Sequence, residues 1–271
     1  MPHVNDNDTA LWYQITGKGQ PLVLSGGFGL LHNQWDEIRD LLAKDFQVID
    51  WNYRGAGNSD RAWPGGVFNQ DTWVDDLEKI LTHLNIRDAV LWGTSTGSPI
   101  TVRYAAKYPQ RVRAIITYPM FKADAGFRKA FDGFRNIGET FGYEALAALT
   151  SWIGVAEENL FEPAWGKLAR WEAGIFRQNF SMETLAATMA IVSGNDFTSD
   201  LAKIKVPALV LMGESGNLGY KSPGSRALAE EFMRHVPQAK LALIPRGGGT
   251  YCMIEEPKAT AVAAAEFIRG L

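Results

Sequence analysis

The chain has 271 residues, of which 46% are hydrophobic and 21% are charged, and its formal net charge is −3. This composition is typical of a globular protein, and the length is ordinary for one α/β domain with an insertion. The small net charge and the lack of a basic run exclude an extended surface for nucleic acid or for an anionic membrane.

Short apolar segments alternate with helical patterns through the first 119 residues. The helical patterns are Trp35–Lys44, Trp73–Leu84 and Ile100–Lys107. The apolar segments predict strands at Leu11–Ile15, Pro21–Leu24, Phe46–Trp51, Ala89–Trp92 and Val112–Tyr118. The alternation predicts an α/β fold, with a mostly parallel twisted sheet of about eight strands and helices on both faces.

The alternation stops over residues 120–200, where the pattern is helical and rich in aromatic residues. It then resumes with strands at Val206–Met212 and Lys240–Pro245 and helices at Arg226–His235 and Thr260–Ile268. We therefore expect residues 1–119 and 201–271 to form the core. The inserted residues would form a helical cap over the carboxyl ends of the strands, where such sheets bind ligands.

The strongest local motif is Gly93-Thr94-Ser95-Thr96-Gly97, which follows an apolar strand and precedes a helix. A G-x-S-x-G sequence in this context predicts a strained turn that projects the serine hydroxyl above the sheet. The helix that begins there favours developing negative charge. The alternative is a serine that only caps the helix in an ordinary turn.

Several segments resemble the α/β-hydrolase superfamily over nearly the whole chain. The resemblance lies in residues 51–60 (WNYRGAGNSD), 108–112 (YPQRV), 204–213 (IKVPALVLMG) and 237–245 (PQAKLALIP). Residues 25–29 (SGGFG), Gly97-Ser98 and Trp171-Glu172 are similar to segments of its proline iminopeptidase-like members. The resemblance implies an enzyme with a nucleophile elbow at Ser95, and it implies that Glu172 contacts a substrate amine or hydroxyl.

The glycine-rich loop after the second predicted strand can present backbone N–H groups to an oxyanion. We expect the donors to be the N–H of Phe28, with Gly27 as the near alternative, and the N–H of Thr96 after the serine. We expect the substrate pocket to be lined by Gly27, Trp171, Glu172, Tyr118, Thr250 and Tyr251.

The residues that would complete a Ser-His-Asp triad are missing from the positions that the family resemblance implies. Gly216 occupies the acid position after the strand that ends at Met212, and Thr250 occupies the histidine position. No histidine follows His235. A serine is a poor nucleophile until a base takes its proton, so the sequence predicts weak or absent triad hydrolysis.

Another group could take the role of the missing base. His32 is the only histidine near the oxyanion loop, and the alternative is that it caps or starts the following helix. The candidate carboxyl groups are Glu214, Asp124 and Glu172. Each of them has a purely structural alternative.

Three functional hypotheses remain. The first is an enzyme that uses Ser95 and the oxyanion donors for lyase, cyclase or isomerase chemistry on a small, largely apolar carbonyl compound. The second is an ester or amide hydrolase with a relocated base such as His32, and the third is a silent small-molecule binder.

The sequence predicts no cofactor and no metal, because the four histidines and Cys252 have no ligand spacing and no dinucleotide or phosphate loop is present. We expect a small-molecule ligand, with no nucleic acid and no membrane as partner. The oligomeric state stays open. A single cysteine and a polar N-terminal segment suggest a cytoplasmic protein.

Overall fold

The computed structural model describes residues 2–6, 9–61, 69–160 and 163–271. The undescribed residues fall within both the predicted core and the predicted cap. The strands are β1 (His3–Asp6), β2 (Thr9–Thr16), β3 (Gln20–Ser25), β4 (Phe46–Trp51), β5 (Ala89–Gly93), β6 (Val112–Thr117), β7 (Ala208–Ser215) and β8 (Ala239–Gly248).

These strands form one sheet in the order β1-β2-β4-β3-β5-β6-β7-β8. The first two pairings, β1 with β2 and β2 with β4, are antiparallel. All of the following pairings are parallel. The predicted fold class, a mostly parallel sheet of about eight strands with helices, is confirmed.

Several of the longer helices are amphipathic, as the second and fourth helices below are, and bury one apolar face. The helices are α1 (Arg39–Leu42), α2 (Gln70–His83), α3 (Gly97–Lys107), α4 (Ala125–Phe141), α5 (Tyr143–Gly154), α6 (Pro163–Asn179), α7 (Met182–Ser193), α8 (Thr198–Leu201), α9 (Pro223–His235), α10 (Cys252–Glu255) and α11 (Pro257–Arg269). We call α4 to α7, which lie between β6 and β7 in the chain, the inserted helices. None of the helices in the described part of the chain has the length and apolar character needed to cross a bilayer.

The predicted helix over Trp35–Lys44 is present only in part. The chain forms a short 3-10 turn at Leu31–Trp35 and the single turn of α1 instead. Leu31 has a φ of 49°, so the chain leaves the glycine-rich loop in a tight turn rather than entering a regular helix. This turn directs Gln34 and Trp35 into the interior, where both are buried. The strand β1 had no counterpart among the predicted strands.

Candidate active site

The candidate site lies where the order of the sheet reverses. From β3 the chain crosses to β4 on one side and later to β5 on the other, so the loops after β3 and β5 leave the sheet side by side. Ser25 at the end of β3 pairs with Gly93 at the end of β5. Open α/β sheets bind ligands at such a switch point.

Ser95 occupies the turn between β5 and α3. Its φ is 50°, a left-handed conformation that is strained for a residue with a side chain. The side chain is half-buried and lines a cavity, and no described residue forms a hydrogen bond with its hydroxyl. The backbone therefore holds Ser95 toward the cavity without help from a neighbouring base.

The two glycines that flank the serine are required by close packing of the backbone. A Cβ on Gly93 would lie 2.2 Å from the carbonyl oxygen of Gly97. A Cβ on Gly97 would lie 1.9 Å from the carbonyl oxygen of Ser25. The G-x-S-x-G pattern thus lets β3, β5 and α3 approach closely enough to form the turn.

The cavity beside Ser95 has a volume of about 420 Å³ and a mainly apolar wall. Its apolar lining comes from the glycine-rich loop, the end of β6, the helix α4 and the helix α9. These residues include Phe28, Met120, Phe127, Phe131, Phe134 and Leu228. A pocket of this size and character accommodates a compact apolar molecule.

Two backbone N–H groups next to Ser95 are free to bind an oxyanion. The N–H groups of Phe28 and Thr96 have no hydrogen-bond partner among the described residues. The N–H of Gly27, by contrast, donates to Gln34 Oε1 at 2.6 Å. Because that donor is already engaged, the geometry favours Phe28 over Gly27 as the partner of Thr96.

Gln34 belongs to the site although no sequence motif pointed to it. Its side chain lines the cavity, and its Nε2 donates to the carbonyl oxygen of Thr250 at 2.9 Å. The same carboxamide therefore joins the glycine-rich loop to the segment where a catalytic histidine would be expected. A single glutamine has no recognisable spacing, so only the fold reveals this role.

The position of the expected acid is closed by backbone from the end of α5. Gly216 has a φ of 79°, and a Cβ there would lie 2.2 Å from the carbonyl oxygen of Val155. A Cβ on Gly248 would meet the carbonyl oxygen of Gly154 at the same distance of 2.2 Å. The inserted segment thus fills the space where an aspartate after β7 would start.

The carboxylate of Glu255 connects the segment after α5 to the end of β8 through hydrogen bonds. It accepts hydrogen bonds from the N–H of Gly248 at 2.6 Å, from the N–H of Ala156 at 3.0 Å and from Asn159 Nδ2 at 2.6 Å. At the expected histidine position, Thr250 is buried and lines the cavity. Neither position provides a titratable side chain to Ser95.

His32 lies outside the set of residues that line the cavity. Its ring packs on Trp12 with 4.6 Å between the centroids, and its Nδ1 lies 3.0 Å from Asn52 Nδ2. Burial lowers the pKa of His32 to about 4. The structure therefore gives this imidazole packing and hydrogen-bonding partners away from Ser95, and does not bring it to the serine as a base.

The remaining predicted pocket residues fall into two groups. Tyr118, Thr250, Tyr251 and Glu172 line the cavity, as do Gly27 and Phe28. Trp171 does not, and it packs against the hydrophobic core instead. Consecutive side chains on a helix point about 100° apart, so α6 can present Glu172 to the cavity while Trp171 faces elsewhere.

Glu172 is a buried carboxyl group in this apolar cavity. Its Oε1 accepts hydrogen bonds from the Tyr251 hydroxyl at 2.5 Å and from Thr150 Oγ1 at 3.1 Å. Burial raises the pKa of Glu172 to about 8, against the lowering effect of these two donors. The group therefore carries a proton at neutral pH.

The other two candidate carboxyl groups have structural partners. Glu214 is partly exposed and lies 3.9 Å from Lys221 Nζ. Asp124 caps α4 by accepting the N–H of Phe127 at 2.7 Å, at the edge of the cavity. Within the described ranges, no group of three or more His, Cys, Asp or Glu residues is arranged to hold a metal ion.

Comparison with known proteins agrees with this geometry. A family profile described as alpha/beta hydrolase fold matches residues 20–120, which include the glycine-rich loop and the serine turn. An AB hydrolase superfamily protein, YisY, from Bacillus subtilis is 25% identical over 251 residues, covering 90% of each chain. A proline iminopeptidase from Clostridioides difficile is 25% identical over 264 residues, covering 83% of this chain and 88% of that protein.

A solved structure has the same fold over almost the full length. MGS-M2, an alpha/beta hydrolase enzyme from a Medee basin deep-sea metagenome library, superposes with a TM-score of 0.86 at 21% identity, covering 98% of this chain and 97% of that one. The sheet order, the serine turn and the aligned relatives all lead to one assignment. The chain has the alpha/beta hydrolase fold, and the proteins that it resembles include enzymes of that fold.

Proposed function

We propose that this protein is an enzyme that acts on a small, largely apolar carbonyl compound without a Ser-His-Asp triad. The reaction would be an isomerisation, a cyclisation or a lyase reaction rather than hydrolysis. The observation that carries the proposal is the combination of a free Ser95 hydroxyl with an acid position that is filled by the Val155 backbone.

The loss of the base removes a specific part of the catalytic machinery. General-base help from an imidazole at the serine is worth about 10²–10⁴-fold in rate. Thr250 provides no such group, and His32 is engaged with Trp12 and Asn52. These contacts support a chemistry in which Ser95 is not the attacking nucleophile.

The groups that are kept support carbonyl chemistry of another kind. The N–H groups of Phe28 and Thr96 can bind a carbonyl oxygen and stabilise it as negative charge develops. The Ser95 hydroxyl can donate a further hydrogen bond to the same oxygen. Such donors stabilise an enolate or hold a reactive conformer without any covalent intermediate.

The cavity supports the proposed substrate class. Its volume of about 420 Å³ and its phenylalanine-rich wall fit a compact apolar ligand rather than a polyanion. The buried, free thiol of Cys252 fits a reducing compartment, so a cytoplasmic location is part of the proposal.

The mass of the product tests the proposal. Wild-type protein is incubated with small aryl ketones, β-diketones and lactones, and with p-nitrophenyl butyrate, and the products are analysed by mass spectrometry. We expect turnover that leaves the product mass unchanged or splits the substrate without adding water. Rapid Ser95-dependent ester hydrolysis contradicts the proposal, and saturable binding with no product indicates a binding protein.

A further inference from the structure

A carboxyl group with one unsatisfied oxygen lies in the same cavity as Ser95. Glu172 is 1% exposed, and its Oε1 is held by Tyr251 and Thr150. Its Oε2 is buried and has no hydrogen-bond partner among the described residues. A buried polar atom without a partner is costly, so this oxygen calls for an explanation.

A purely structural role explains only half of this arrangement. The two donors tie together α5, α6 and the turn after β8 through Oε1 alone. A glutamine would accept the same two hydrogen bonds and would avoid burying an ionisable group. The choice of a carboxyl group at this position therefore points to a use for its proton.

No cation stabilises the charged form of Glu172 in the described part of the chain. Tyr251 is the titratable group in contact with it, and burial raises the pKa of that tyrosine well above its usual value. The charged groups elsewhere on the cavity wall have other partners. Lys122 pairs with Glu231 at 2.6 Å, and Asp124 caps α4. The carboxyl is therefore mainly protonated at neutral pH and ionises as the pH rises through about 8.

We propose that Glu172 is the catalytic acid–base group of this site, and that it transfers a proton at a carbon atom next to the substrate carbonyl. The inference rests on the proposed function, because it requires the carbonyl oxygen to be held by the N–H groups of Phe28 and Thr96. The substrate class is then a compact apolar ketone or β-dicarbonyl compound with an acidic α C–H bond.

The step is balanced without any co-reactant. The α C–H bond breaks and its proton bonds to the Glu172 carboxylate, while the C–H electron pair forms the C=C bond of an enolate. The carbonyl π pair moves onto the oxygen, where Phe28 N–H and Thr96 N–H stabilise it. Return of the proton to the same or another carbon restores the carboxylate and gives the starting compound or its isomer.

Deuterium exchange at the methylene group of phenylacetone in D₂O, followed by NMR, tests the proposal. Wild-type protein should catalyse exchange, with a rate that rises through about pH 8 as the carboxyl ionises. Glu172→Gln should reduce the rate by about 10²-fold or more. Glu139→Gln, which changes an exposed carboxyl group of α4, is the matched control and should keep the wild-type rate.

The pH profile separates catalysis from a structural role. Tyr251→Phe removes a donor that lowers the pKa of Glu172, so the midpoint of the profile should move to higher pH. A loss of folding alone would lower the rate at every pH without moving the midpoint. Circular dichroism of each variant at pH 6 records whether it is folded.

Three results overturn the inference. They are an unchanged exchange rate in Glu172→Gln, a wild-type profile that is flat between pH 6 and pH 9, and no exchange by wild-type protein above the buffer rate. Ser95-dependent hydrolysis of p-nitrophenyl butyrate is a separate result, and it overturns the proposed function itself. The two failures are therefore distinguishable.

Discussion

The two halves of the site differ in the groups that they offer to a ligand. The serine half, formed by the loops after β3 and β5, keeps the strained Ser95 and its free N–H donors. The base half, formed by the segments after β7 and β8, has Gly216, which lies against the backbone of Val155, and Thr250, which lines the cavity. In this structure the possible oxyanion donors and the positions after β7 and β8 therefore belong to different structural units, which can be altered separately by mutation.

An aspartate at the position that the family resemblance assigns to the acid should have the largest effect on stability. Gly216→Asp should lower the free energy of unfolding by about 4 kcal/mol, because it combines a left-handed φ with an overlap between the new Cβ and the carbonyl oxygen of Val155. Urea unfolding measures the effect. Gly133→Ala is the control, since that position in α4 is open and alanine should be neutral or stabilise the helix by about 1 kcal/mol.

A well-folded Gly216→Asp, Thr250→His protein that hydrolyses esters rapidly would contradict this account of the base half. It would mean that the Val155 backbone moves aside easily. We expect instead that the double variant is unfolded or inactive toward p-nitrophenyl butyrate.

The stability of the protein should depend on pH through the ionisation of Glu172. The pKa of Glu172 is raised from 4.5 to about 8 in the folded state. The contribution of this group to the free energy of unfolding should therefore be greatest below pH 4.5 and should be lost as the pH rises through about 8. Glu172→Gln should therefore unfold at a higher temperature than wild type at pH 9. Each pKa unit corresponds to about 1.4 kcal/mol, so the gain should reach a few kcal/mol.

The measurement is thermal unfolding of both proteins from pH 5 to pH 9. A difference in Tm that does not change with pH would show that Glu172 does not titrate in this range. Such a result would leave the carboxyl with its structural contacts only.

Gln34 connects the two halves, and its removal should have an intermediate effect. Gln34→Met leaves the N–H of Gly27 and the carbonyl oxygen of Thr250 without their partners. We expect a loss of about 2 kcal/mol in the free energy of unfolding, because both groups are buried. Gln110→Ala, an exposed position, is the control. If Gln34→Met and Gln110→Ala were equally stable, the hydrogen bonds of Gln34 would not stabilise the contact between the two halves of the site.

His32 should have the smallest effect on chemistry. His32→Asn removes the ring that packs on Trp12 but leaves the cavity wall intact. Any activity on carbonyl substrates should change by less than about threefold, because His32 does not line the cavity. This is well below the factor of ten that corresponds to about 1.4 kcal/mol of transition-state stabilisation. A loss of activity with unchanged stability would identify His32 as the relocated base.

Local patterns in the sequence predicted much of the fold. The strand Phe46–Trp51 and the turn around Ser95 depend on apolar runs and on glycines that are neighbours in the chain. The helix predicted over Trp35–Lys44 is shortened to Arg39–Leu42, because the chain leaves the left-handed turn at Leu31 in a 3-10 turn that includes Trp35.

The residues of the site were harder to predict from the sequence than the strands were, because the contacts within the site join residues that are far apart in the chain. Gln34 meets Thr250 across 216 positions, and Tyr251 meets Glu172 across 79. Trp171 and Glu172 formed one sequence motif, yet only Glu172 lines the cavity. The closure of the acid position by Val155 depends on a backbone approach that no residue pattern records.

The reactivity of Ser95 measures directly whether a base activates its hydroxyl group. Wild-type protein and Ser95→Ala are incubated with a fluorophosphonate probe, and covalent labelling is followed by intact mass, with a triad lipase as the positive control. We expect wild-type labelling to be at least about a hundredfold slower than that of the lipase, because no base activates the hydroxyl. Rapid stoichiometric labelling that disappears in Ser95→Ala would contradict it.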